Sequence, residues 1–251
     1  MARRQSPVEA VTFEPEMHCS VPEQRRLLGQ SPFFSKLDDD AIVDIQRRFR
    51  QQHYHAGDRI QRAGDIATRL SVVAAGVVKI VRPTLDGQDV LLDFVGAGEY
   101  FGSLAELGDS LYREDVTAHT DCCILNTTAE IFHDLLRQYP TVALAALTMV
   151  AARLNEAQAT IEQLSAYPAD QRIASVLLQL VDKIGKQRGT DVLIQMPLSR
   201  QDIADMTGAK VETVSRVMSD FRRSGLIESG RRWISVVDRD ALAAIADGNT
   251  R

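Results

Sequence analysis

Glu212, Ser215 and Arg216 fall within one turn and a half of a stretch that reads as a helix, and they bring together an acceptor, a hydroxyl and a forked donor. A carboxylate accepts from the amino group of cytosine, a guanidinium forks onto O6 and N7 of guanine, and a hydroxyl serves either kind of partner. Around them Ser199, Arg200, Lys210, Thr213, Arg222, Arg223, Arg231 and Arg232 are of types that meet phosphate oxygens, contacts that set register without reading sequence. The chemistry is therefore recognition of a DNA duplex, not bond making. No phosphate-binding glycine loop, zinc-ligand spacing or serine elbow is present, and the carboxylates show no acid-base pattern, so neither an enzyme nor a metal site is expected.

Such side chains need a helix to carry them and a second element to hold that helix. Residues 198–227, LSRQDIADMTGAKVETVSRVMSDFRRSGLI, read as helix, tight turn and helix. Ser199 with Asp202 resembles a capping box with Asp in place of the usual Glu or Gln, opening a helix to about Met206. Gly208 breaks it. The second helix starts near Lys210 and turns Val214, Val217, Met218 and Phe221 to a core, leaving Glu212, Ser215, Arg216 and Ser219 on the other side. After Gly225, LIESGRRWISVV predicts a strand, a Ser229-Gly230 turn and a second strand, together a wing. A plain helical hairpin with a solvated charged face is the competing reading. The close-packing spacing of Ala204, Gly208, Val214 and Val217, with the wing behind it, favours the DNA-reading one.

At these residues the chain resembles the family of the cyclic-AMP receptor protein and the fumarate and nitrate reduction regulator. The run from Val211 to Arg216, VETVSR, is similar to the fumarate-nitrate branch, which carries Val-Glu-Thr-Ile-Ser-Arg or a near variant. The cyclic-AMP branch has Arg where Val211 stands and Gly where Ser215 stands. The resemblance implies a TTGAT-like half-site read by Glu212, Ser215 and Arg216, a palindromic duplex, a homodimer, and RNA polymerase as a further partner. It also implies an α+β fold: an N-terminal cyclic-nucleotide-binding-type β-roll (a jelly roll), a long dimerisation helix and a C-terminal winged helix-turn-helix.

The balance of charge fits a local cluster better than a basic protein. Over 251 residues the net charge is -5, but residues 168–251 hold 13 Lys plus Arg against 11 Asp plus Glu. DNA affinity must then come from where the arginines sit. No run approaches the length of a membrane span, Arg3-Arg4 opens no signal region, and three cysteines make no disulfide framework, so a cytoplasmic protein with no membrane partner is expected.

Four segments are expected: a flexible lead at 1–26, a β-roll at 27–140, a long helix at 141–167 and the reader at 168–251. Asp38 to Asp40 open a short helix carrying Ile42, Ile45 and Phe49. Frequent glycines from Gly57 to Gly102, with a strong hairpin signal at Asp86-Gly87, mark short strands. They suit equally a barrel filled by its own side chains and one with an interior pocket. In the long helix Ala143, Leu147, Val150, Leu154, Ala157, Ile161 and Leu164 recur at 4-3 spacing, a seam that calls for a second helix. Pro168 ends it.

The family's effector residues carry over only in part. The phrase GAGEYFGSLAEL is similar to the family's β-roll, with Gly102 kept but Ser103 in place of Glu. Tyr112 and Arg113 fall near the family's Arg-Ser pair, and Ala157 and Gln158 at its Thr-Ser pair. Losing the acceptor for a ribose hydroxyl costs about 1 to 3 kcal/mol, so cyclic AMP is not expected, though Arg113 could hold an anion. Three cysteines fall short of a four-cysteine iron-sulfur cluster within one chain, and Cys122 and Cys123 should point to opposite faces of a strand. Haem in the roll stays open, with His18, Cys19, His53, His55, His119 and His133 as candidates and no axial ligand chosen. Cys19 alone could be a redox thiol or incidental. A haem or thiol sensor, and a ligand-sensing subunit that binds no DNA, remain as alternatives.

Overall fold

A computed structural model describes residues 19–84, 89–102, 110–230 and 232–249, which form two compact units, residues 19–159 and 160–249.

The first unit is a roll of two antiparallel four-stranded sheets. One runs β1 (Arg50–Tyr54), β8 (Cys122–Thr128), β3 (Arg69–Ala75), β6 (Tyr100–Gly102), and the other β2 (Arg59–Gln61), β7 (Asp115–Ala118), β4 (Val78–Pro83), β5 (Asp89–Val95). Because successive side chains point to opposite faces, β8 serves two cores. Cys122 and Ile124 join Val73, Val78, Phe101 and Val116 in one cluster; Cys123 and Leu125 pack in another with the helices α1 (Val21–Gln30), α2 (Asp39–Arg47) and α3 (Ala129–Gln138). The adjacent cysteines therefore do face opposite ways. Between α1 and α2, Phe33 meets Tyr100 and Phe132 edge-on at 4.7 and 5.3 Å. Strands β4 and β5 pair as the expected hairpin, though its Asp86-Gly87 tip lies outside the described residues.

Two expectations for this unit change. The expected flexible lead to residue 26 gives way to order from Cys19: α1 begins at Val21, and Cys19 before it is buried. Tertiary contacts hold that segment: the buried Gln24 donates to the Cys19 carbonyl at 2.9 Å and accepts from Gln46 at 3.0 Å. The local signals are Pro22 and Glu23 in the first turn of α1, since Ser20 makes no side-chain cap. Helix α3 was folded into the roll without being distinguished, although Thr128 caps it by accepting from Ile131 N at 3.2 Å. His53 lies on the edge strand β1 and His55 beyond its end, so the histidines mark a solvated sheet edge.

Helix α4 (Pro140–Ala166) matches the expected long helix. Val142 and Ala146 are buried in the α1–α3 cluster, with Met149 packed against it. Its seam is bare in the single chain: Leu147, Leu154 and Ile161 are 66%, 59% and 64% exposed, Val150, Ala157 and Leu164 are exposed too, and Ala143 is half-buried.

In the second unit, α5 (Ala169–Ile184) buries Ile173, Leu177, Leu180 and Val181 beneath α6 (Arg200–Thr207), α7 (Val211–Arg223) and α8 (Arg239–Ala246). A four-stranded sheet, β11 (Ile227–Gly230), β12 (Trp233–Val236), β10 (Asp191–Ile194), β9 (Lys186–Arg188), closes the domain. The β9–β10 hairpin was not expected, although Gly189-Thr190 at its tip is a turn signal. The wing is present, but Ser229 and Gly230 belong to β11, paired with Ile234 and Trp233, and are not its turn. The indole of Trp233 lies across Gly230, where a Cβ would come within 2.3 Å of Nε1, so any other residue there would displace the ring.

Candidate nucleic-acid interface

Helix α6 is held at its start by a reciprocal cap. Ser199 Oγ accepts from Asp202 N at 3.0 Å, and Asp202 accepts from Ser199 N at 2.9 Å and from its hydroxyl at 2.6 Å. Asp thus does the work of the usual Glu, and the Ser199 side chain is engaged within the cap. Gly208 then turns the chain with φ of 59°, a conformation that disfavours every residue with a Cβ. Its N–H closes on the Ala204 carbonyl, ending α6 and directing the chain to Lys210, where α7 starts.

Helix α7 divides as its periodicity predicts. Val214, Val217, Met218 and Phe221 are buried, whereas Glu212 and Arg216 are exposed and Thr213 and Ser215 half-buried. Glu212 and Arg216 stand one turn apart and, among the described residues, neither makes a hydrogen bond or ion pair, so both are open to a partner. Ser219 differs from the reading above: its hydroxyl donates to the Ser215 carbonyl at 2.7 Å, within its own helix.

The cations around this side divide by what they already hold. Arg223 is paired with Asp220, and Lys210, Arg222 and Arg232 are exposed. Arg200 is half-buried, and its guanidinium is pushed below the usual arginine range by burial and then by neighbouring Arg222. Two like charges that repel each other at a protein surface are relieved by an anion between them, as a phosphate would supply. Arg231 lies outside the described residues.

Of the suggested effector residues, Gly102 and Tyr112 come together at the Arg69 backbone. Gly102 ends β6 beside the Arg69 carbonyl, Ser103 lies outside the described residues, and Arg113, Ala157 and Gln158 are exposed. Tyr112 turns its hydroxyl to the backbone, accepting from Arg69 N at 3.0 Å and Thr68 N at 3.2 Å. Just before Ala157 on α4, Arg153 donates to the Tyr100 carbonyl at 2.9 Å and lies 3.9 Å over the Tyr100 ring, a contact no linear pattern marks. Of the haem candidates, His119 packs at a tilt against Phe94 with ring centroids 4.8 Å apart, and His53 contacts Gln51 at 2.7 Å. His55 stands 3.7 Å from Asp121 and His18 lies outside the described residues. No group of three or more His, Cys, Asp or Glu side chains able to hold a metal occurs among the described residues.

The cysteines are buried free thiols. Burial drives the Cys123 thiol up to about 12, reinforced by adjacent Cys19, and burial also raises Cys19 and Cys122. For Cys123 at pH 8 the thiolate is then on the order of one part in ten thousand. The native protein should accordingly resist iodoacetamide at pH 8 and take up label at all three cysteines only on unfolding, as intact mass spectrometry would show.

Residues 171–245 match the family described as Crp-like helix-turn-helix domain, and residues 51–139 the cyclic nucleotide-binding domain. The chain is similar to a cyclic AMP receptor protein of Thermus thermophilus, 30% identical over 87% of this chain and 98% of that one. It is also similar to the nitrogen fixation regulation protein FixK of Rhizobium meliloti, 31% identical over 77% of this chain and 86% of that one. Among solved structures, FixK2 of Bradyrhizobium japonicum superposes with a TM-score of 0.70, at 24% identity over 78% of this chain and 96% of that one, a likeness of fold.

Proposed function

The chain belongs to the CRP/FNR family of DNA-binding transcription regulators, and from that premise we propose that it acts as a cytoplasmic homodimer on a palindromic, TTGAT-like duplex. Its relatives make it a regulator and not an enzyme. The observation that carries the finer reading is the division of α7, with an unpaired Glu212 and Arg216 on the open side and a fully buried apolar side that fixes the helix. Glu212 and Arg216 take opposite members of a G·C pair's donor-acceptor pattern, and Ser215 lies between them. The bare leucine seam of α4 supports pairing of two chains, and a two-fold protein then asks for a two-fold site.

The effector in this reading is not cyclic AMP, or no effector is needed. Arg113, Ala157 and Gln158 are exposed, and Tyr112 spends its hydroxyl on the backbone. A thiol or haem-thiolate sensor at Cys19 is disfavoured, because the group is a buried thiol against Cys123. RNA polymerase is the further partner.

Selection from a randomised duplex pool is expected to recover two inverted TTGAT-like half-sites. Recovery of no sequence preference would instead support a ligand-sensing subunit that contacts protein through its C-terminal domain.

A further inference from the structure

The inner face of β8 changes character along its length. Cys122 and Ile124 are core, but Asn126 and Thr128, which share their face, are polar and lie between two arginines on neighbouring strands. Arg50 of β1 stands opposite Asn126, and Arg69 of β3 opposite Thr128. A cavity of about 410 Å³ opens there, lined by Arg48, Arg50, Arg69, Asn126, Thr127 and Thr128 among others. It contains none of Gly102, Arg113, Ala157 or Gln158.

Its polar groups are arranged as donors. Ser71 Oγ donates to Asn126 Oδ1 at 2.7 Å, which occupies the amide oxygen and leaves the amide nitrogen to give. Arg48 is already satisfied by Asp44 at 2.6 Å and Gln138 at 2.7 Å and forms a wall, whereas the side chains of Arg50 and Arg69 make no hydrogen bond or ion pair among the described residues. Thr127 also lines the cavity, but its Oγ1 is shut off from the open space and has no hydrogen-bond partner among the described residues, so the donors a ligand can reach are those of Arg50, Arg69 and Asn126. Among the described residues no carboxylate lines the cavity.

We propose that this cavity binds a sugar phosphate. Two unpaired guanidiniums match the charge of a phosphate monoester near neutral pH, and forked donors suit its oxygens. The volume exceeds what a bare phosphate needs and falls within the range of small-ligand pockets. Amide and hydroxyl side chains suit sugar hydroxyls, while among the described residues no aromatic side chain lines the space to stack a nucleobase.

The test is calorimetric titration of the full chain with ribose 5-phosphate, with inorganic phosphate and sodium chloride at matched ionic strength as comparisons. Saturable binding of ribose 5-phosphate, tighter than that of inorganic phosphate, is expected. It should weaken about tenfold or more in the exposed-surface double variant R50A/R69A, since charge-assisted bonds are lost. Arg59→Ala on β2, which does not line the cavity, should leave it unchanged. Absence of saturable binding, equal binding by R50A/R69A, or equal heats from chloride or inorganic phosphate would overturn the assignment. None of these outcomes depends on how α7 reads DNA.

Discussion

Replacing Leu147 and Leu154 together with Glu is expected to leave a folded monomer whose binding to a two-half-site duplex is at least about a hundredfold weaker than the parent's. Both side chains are largely exposed in the single chain, at 66% and 59%, so the substitutions remove nothing from its own core. In a paired seam each leucine would contribute roughly 1.5 to 3 kcal/mol by leaving water, and a dimer loses four of them. Carboxylates placed face to face there add a desolvation penalty. A monomer must then bind each half-site as a separate event, without the millimolar effective concentration that tethering provides. Sedimentation and circular dichroism read the two parts separately. A variant that stays dimeric would place the subunit contact elsewhere.

Arg216→Ala is expected to relax base choice at one base pair in each half-site by about 1 to 3 kcal/mol, the worth of a bidentate contact to guanine. Affinity for unrelated DNA should change far less. Arg200→Ala should do the reverse: all sequences weaken together, and the slope of log affinity against log salt falls by about one for each copy, because a released counterion is lost with each phosphate contact. The contrast rests on position, since Arg216 projects from the open side of α7 whereas Arg200 is half-buried at the head of α6 beside Arg222. Unchanged base preference in the Arg216 variant, measured by binding selection, would remove it from the readers.

Local chemistry explains why the helix-turn-helix domain is legible in the sequence. A cap at Ser199, a left-handed turn at Gly208 and a 3.6-residue apolar stripe from Val214 to Phe221 each act within a few residues, and all three stand where they were expected. The α4 seam was legible for the same reason, because a heptad spacing needs only the helix that carries it. The segment before α1 was not. Its order comes from Gln24 reaching Cys19 and Gln46 and from Cys19 lying against Cys123, about a hundred residues away. The wing turn was misplaced because Ser-Gly is a turn signal only when the strand register agrees, and here Gly230 is needed under the Trp233 ring.

By itself, then, the order of residues determined the helix-turn-helix, the open and buried sides of α7, the long seam and the alternation that sends Cys122 and Cys123 into separate cores. Those features depend on periodicity and on caps, which are short-range. Only the tertiary structure decided which thiols are buried, that Arg200 sits against Arg222, and that Arg50, Arg69 and Asn126 gather around one cavity. Strand pairing joins residues dozens of positions apart, and nothing in the spacing of Arg50, Arg69 and Asn126 along the chain records that they are neighbours.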